Sequence, residues 1–141
     1  MRFLITFLAT SLLFFTQHAS ARIGETPQQC IERYGKPTKV TERGLLFTQG
    51  RIKIFVTFSE GKADGLFIQK LAPATTDKAI PISENEIEQF LICNGCKSKW
   101  QFTTQLPDGD VIWMTENLEL TAMYSQTTCS IQIYTKDSIG R

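Results

Sequence analysis

The residues whose types and spacing could do chemistry are Cys93 and Cys96, in the run Cys93-Asn94-Gly95-Cys96. Two thiols at this spacing can exchange with a disulfide, close on each other, or supply half of a zinc site. A thiol oxidoreductase places its attacking cysteine at a helix N-terminus, where the dipole lowers the thiol pKa. Here the apolar spacing of Ile87, Phe90 and Leu91 puts a helix before the motif. The cysteines therefore fall at a helix end, where the dipole has the opposite sign, and the flanking pattern is not the βαβ unit of a thioredoxin. Cys30 and Cys129 complete a set of four cysteines. An even set in an exported chain predicts disulfides, with three possible connectivities that spacing does not separate. A Cys30–Cys129 bond would close a long loop. Zinc binding by the same four thiols conflicts with an oxidising compartment. Cys93-x-x-Cys96-Lys97 is similar to the lysine-ligated haem motif of certain nitrite reductases, but no second haem motif accompanies it.

Other constellations are weaker. Ser59-Glu60-Gly61-Lys62 matches S-x-x-K, a motif that acts on a helix and with partner motifs. Here it reads as a hairpin turn. Asp108 and Asp110 lie in a Pro-Asp-Gly-Asp turn that lacks the remaining ligands of a calcium loop. Glu84, Glu86 and Glu88 suit the positive end of a helix rather than a catalytic carboxylate pair. The single histidine, His18, lies in the N-terminal leader. A chain without that leader has no histidine general base, no histidine-activated nucleophile and no histidine metal ligand. No dinucleotide fingerprint or P-loop is present, and no cofactor is expected.

The leader is residues 1–21. Met1-Arg2 is followed by an apolar run from Phe3 to Phe15 and by Ala19-Ser20-Ala21, the order of a cleaved signal peptide. The run of 13 residues is short of the about 20 that span a bilayer. Export to the periplasm or beyond is predicted, with no stable membrane anchor. Removal of 21 residues from 141 leaves 120, the size of one domain. The chain has 15 Lys+Arg and 14 Asp+Glu; without Arg2 each count is 14. That balance argues against a nucleic-acid or anionic-membrane binder.

The elements that must position these residues carry clear boundary signals. Thr26, Pro27 and Gln29 form a capping box with proline at N1, and Gly35 and Pro37 stop the helix, giving Pro27 to Tyr34. Its buried stripe is Cys30, Ile31 and Tyr34. Strands follow at Lys39 to Arg43, Leu45 to Thr48, Ile52 to Phe58 and Leu66 to Gln69. Phe55 faces away from Ile54 and Val56, which predicts partial cover on both faces. Residues 71–82 read as a connector. Ser83 and Glu86 repeat the capping box, and Asn94-Gly95 ends the second helix. Further strands are expected at Trp100 to Thr103, Val111 to Thr115, Leu118 to Ser125 and Ser130 to Thr135. Most of Trp100, Trp113, Phe55, Phe67 and Phe102 should be core, any exposed subset being a protein-binding patch.

Ile52, Ile54, Val56, Phe58 and Ser59 align with Leu118, Leu120, Ala122, Tyr124 and Ser125 at an offset of 66, and Lys70 aligns with Lys136. The expected fold is α+β: two tandem helix-plus-antiparallel-sheet halves, about 22–70 and 83–141, packed as one small domain. Gly24-x-Thr26, Gly35-x-Pro37 and Phe58-x-x-Gly61-Lys62 resemble the small outer-membrane assembly lipoproteins of the SmpA/OmlA type. The doubled arrangement looks like the beta-lactamase inhibitor protein fold. The chain departs from the lipoproteins in having no lipid-accepting cysteine after the leader. The resemblance implies a non-catalytic, protein-binding or scaffold module of a bacterial envelope, with another envelope or extracellular protein as partner. The rival expectation is a thiol–disulfide oxidoreductase using Cys93 and Cys96. A small-ligand carrier would need a cavity that the sequence does not reveal.

Overall fold

Alternation from Ile52 to Ser59 produces a strand with Ile54 and Val56 on one face and Phe55 and Thr57 on the other. It turns back through Glu60 and Gly61, both at positive φ (50° and 75°). This is the two-residue primed turn whose twist matches the strands, and it pins Ser59 opposite Lys62. The computed structural model describes residues 22–73 and 78–138; the expected leader, residues 1–21, lies outside the described residues.

The elements are α1 (Pro27–Tyr34), β1 (Lys39–Thr41), β2 (Gly44–Gln49), β3 (Ile52–Ser59), β4 (Lys62–Leu71) and β5 (Ala79–Ile80). Then come α2 (Glu84–Asn94), β6 (Trp100–Gln105), β7 (Val111–Thr115), β8 (Leu120–Ser125), β9 (Ser130–Thr135) and a 3-10 turn, Lys136–Ser138. Every strand pair is antiparallel, in the order β1-β2-β3-β4-β9-β8-β7-β6, with β5 joined to β4.

This corrects the expected α+β arrangement of two helix-plus-sheet halves. The protein is mainly one antiparallel sheet of nine strands. β4 and β9 meet in the middle as hydrogen-bonded neighbours, from Gly65 opposite Tyr134 to Gln69 opposite Ser130. Leu66, Ile68, Ile131 and Ile133 are buried in a single cluster that runs across this join. The supposed connector is also partly strand, since Lys70 pairs with Ile80.

The offset of 66 fails for a local reason. It keeps faces in β3 and β8, where Ile54 and Val56 match Leu120 and Ala122, all buried. In the returning strands it sets buried Leu66 and Ile68 against Gln132 and Tyr134, which face the other way. A bulge at Asp64, opposite Thr57/Phe58, adds one residue to the first hairpin and inverts the parity of everything after it. Lys136 leaves the sheet for the 3-10 turn and has no counterpart in Lys70.

Both helices lie on the same face as Ile54, Ile68 and Ile131. Tyr34 of α1 packs on Phe47 of β2, with ring centroids 5.1 Å apart. The Tyr34 hydroxyl is buried with no hydrogen-bond partner, and burial raises its pKa. On α2, Ile87 and Leu91 are buried, and the Leu91 carbonyl accepts from the Trp100 indole N–H of β6. The Tyr124 hydroxyl accepts from Ile82 N–H at 3.2 Å, seating the start of α2 on β8.

Both capping boxes form. Thr26 Oγ1 accepts from Gln29 N–H and Gln29 Oε1 from Thr26 N–H. Ser83 and Glu86 do the same for α2. Lys70 Nζ lies 2.6 Å from Glu86 Oε1. That contact, with the Ser83 N–H, holds the Glu86 carboxyl down at about 2. Each cap side chain satisfies the N3 N–H, one of the groups that any helix start leaves open. Thr26→Ala and Ser83→Ala should each destabilise the fold by about 1 kcal/mol in urea titrations, with the m-value unchanged.

Candidate functional site

The cysteines are seated in separate places, all as free thiols. Cys30 is fully buried on the inner face of α1, 3.9 Å from Glu25 Oε2. Burial first, then the Glu25 charge, pushes its thiol up to about 11. Cys93 lies in the last turn of α2, and Cys96 two residues beyond the helix. Cys129 occupies the β8–β9 turn at positive φ (49°), its thiol facing the Gln126 carbonyl at 3.5 Å.

Cys96 borders a hollow with Leu118 and Leu120 at the start of β8, whereas Cys129 lies past its end. A six-residue strand spans about 20 Å, so these two sulfurs cannot bond. Cys30, buried on α1, and Cys129, in the β8–β9 turn, are both free thiols, so the long closing bond considered between them is not formed in this structure.

Between Cys93 and Cys96, Asn94 acts as a structural tie. It is fully buried, and its Oδ1 accepts from Ile23 N–H at 3.0 Å while its Nδ2 donates to the Phe90 carbonyl at 3.0 Å. The Ile23 carbonyl faces Cys96 Sγ at 3.9 Å. Gly24 and Glu25 continue this strap by bonding both backbone groups of Ala63 in β4. The segment 22–25 is thus clamped between the end of α2 and the start of β4. Partial desolvation of the sulfur in an otherwise exposed residue, then the Glu119 charge, raises the Cys96 thiol from its ordinary value, opposite to what an attacking thiol needs.

The remaining candidates resolve as turns and caps. Ser59 and Lys62 flank the β3–β4 turn. Asp108 accepts from Asp110 N–H, and Asp110 from Gln126 N–H at 3.0 Å, bracing two turns against each other. Glu84 and Glu86 stand in the first turn of α2. Among the described residues, no group of three or more His, Cys, Asp or Glu is placed to hold a metal.

The sheet face turned away from the helices is the larger feature. One cross-strand row runs Leu46, Phe55, Phe67, Gln132, Met123, Ile112. The next holds Thr57, Gly65, Tyr134, Thr121 and Met114. Phe55 and Phe67 are part-buried and Ser138 of the 3-10 turn borders this face, so it is partly covered, as expected, although neither α1 nor α2 lies over it. Gly65 leaves a gap among Phe55, Phe67, Met123 and Tyr134, a groove of about 350 Å³. A Cβ at Gly65 would come within 2.6 Å of Thr57 Oγ1, which is held by Asp64 at 2.8 Å. Of the five aromatic residues singled out in the sequence, Phe55 and Phe67 line this face. Trp100 and Trp113 are half-buried on the helix side, and Phe102 is exposed. Leu46, Ile112, Met114, Met123 and Tyr134 were not singled out. Their signal is apolar residues at both parities of one strand, as in Ile112-Trp113-Met114.

No protein-family model and no curated protein matches the chain. Among solved structures it is similar to a cysteine-rich secretory protein from Staphylococcus aureus subsp. aureus Mu50, at 12% identity and a TM-score of 0.45. The similarity covers 82% of this chain and 44% of that one. A likeness of that degree bears on neither fold nor function.

Two outcomes follow from this geometry. Asn94→Ala leaves the Ile23 N–H buried and unpaired, and should cost about 2 kcal/mol in denaturant melts. In the reduced protein, alkylation of Cys96 at neutral pH should be slower than that of a cysteine in an unstructured peptide and should rise with pH, as only the thiolate reacts. A plateau near neutral pH would instead mark a redox-active thiol.

Proposed function

We propose that this is a non-catalytic protein-binding module that acts outside the cytoplasm after export, and that it binds through the open sheet face. The observation that carries this reading is the row Phe55–Phe67–Met123, part-buried but open to solvent over the centre of the sheet on the face away from both α-helices. Apolar side chains at that density on a face that neither α-helix covers suit a partner's apolar segment. Gln132, Thr57 and Tyr134 interleave polar groups that can fix its orientation. The fitting partner is a folded envelope or extracellular protein presenting an aliphatic or aromatic side chain to the Gly65 gap. The resemblance of residues 23–70 to envelope assembly proteins implies the same kind of role. The rival, thiol–disulfide exchange at Cys93 and Cys96, loses support from the raised Cys96 thiol and from the structural use of Asn94.

Site-specific photo-crosslinking in the native host tests this. A photoreactive residue at Phe67 or Gln132 should give one discrete adduct that is absent at Gln28, on the exposed side of α1. Adding Phe55→Asp should weaken capture at least about tenfold without loss of the folded spectrum. No adduct at either position, or the same adduct at Gln28, would remove the open face as the binding surface.

A further inference from the structure

The two ends of the sheet are built differently. β1 is three residues long, begins at Lys39, follows Pro37 and runs into Glu42 and Arg43. Short length, charge and a nearby proline are the devices that keep an edge strand from pairing with another chain. β6 at the other end has six residues, Trp-Gln-Phe-Thr-Thr-Gln, with no charge and no proline. It pairs only with β7. Its one protective feature is a bulge between Phe102 and Thr104. All of β6 except Trp100 is exposed, and Phe102 shows 64% of its surface to solvent.

The charges that β6 itself lacks stand just beyond its ends. Lys97 and Lys99 precede it, and Asp108 follows it. Lys97, Lys99 and Asp108 are all exposed. A parallel neighbour of the same sequence would set lysines beside lysines. An antiparallel neighbour sets the basic end of each strand beside the acidic end of the other, with two such contacts by symmetry.

From this complementarity we infer that β6 pairs antiparallel with β6 of a second copy of this chain. The two nine-stranded sheets then form one continuous sheet about a two-fold axis at Phe102. In that register Phe102 faces Phe102 across the axis, on the helix side, and each continues the Trp113–Phe102 row of its own sheet. Lys97 falls opposite Pro107, beside Asp108. Edge pairing satisfies backbone groups that otherwise face water, and the aromatic contact buries apolar surface that the monomer leaves open. Because the pairing uses β6 of both copies and β1 is blunted, assembly stops at the dimer. The open face stays free on both copies, so this inference is independent of the binding role proposed above.

Sedimentation equilibrium of the protein expressed from its full sequence, from micromolar to millimolar concentration at low salt, tests this. A monomer–dimer equilibrium is expected, weakening as salt rises. Phe102→Lys should raise the dimer Kd at least about tenfold while leaving circular dichroism and melting unchanged, because the side chain is exposed in the monomer. Asp108→Lys should weaken the dimer, and adding Lys97→Asp and Lys99→Asp should restore it. A monomer throughout the concentration range would overturn the inference and leave the edge to a strand of a different protein. A dimer indifferent to Phe102→Lys would overturn it too, since the contact would lie elsewhere.

Discussion

Two helices of 8 and 11 residues cannot cover both faces of a nine-stranded sheet. At 1.5 Å per residue they are about 12 and 16 Å long, while eight strands side by side span about 34 Å. The chain sets both helices on one face. There Ile54, Val56, Ile68, Ile131 and Ile133 form a continuous core. The opposite face has neither α-helix and only the short 3-10 turn at its border, yet it carries Phe55, Phe67 and Met123. The open face, the half-covered β6–β7 end and the exposed Phe102 all follow from this mismatch between sheet area and helix length.

Local signals in the sequence were strong enough to place most elements. Helix caps are decided by three or four neighbouring residues, so Thr26, Gln29 and Gly35 bound α1 where the structure has it, and Ser83 and Glu86 open α2. The alternation of β3 likewise sets its two faces. The arrangement of strands was not legible, because the β4–β9 join is a choice between distant segments. Leu66 and Ile68 read equally well as the edge of a small sheet or the centre of a large one. Parity was hidden as well. One bulge at Asp64, opposite Thr57/Phe58, inverts the faces of every later residue in an alignment, and its one mark in the sequence is the glycine that follows, Gly65, inside the strand pattern.

The cysteine motif shows how spacing can mislead about function. Cys93-x-x-Cys96 looks like chemistry, but the intervening asparagine is the residue the fold uses. Its side chain replaces a missing strand partner for Ile23, joining the start of the described chain to the end of α2 across 71 residues. The sequence could not have revealed this, since Asn-Gly is also an ordinary helix stop. The candidate site was half legible: Phe55 and Phe67 stood out as aromatic, but Leu46, Met123 and Tyr134 join them only through register.

The central position of β9 has a consequence for how the protein is made. β4 is complete by Leu71, but the neighbour that closes its far side begins at Ser130. A chain emerging N-terminus first therefore carries the β1–β4 meander with a naked apolar edge until β9 appears, about 60 residues later. Were the chain threaded unfolded through an export channel, as the proposed role outside the cytoplasm requires, that interval would be longer. Truncation anywhere before Thr135 would leave the meander in the same state permanently. Such fragments should go to holding chaperones or proteases instead of surviving as smaller stable units, so production of this protein is governed by when β9 arrives.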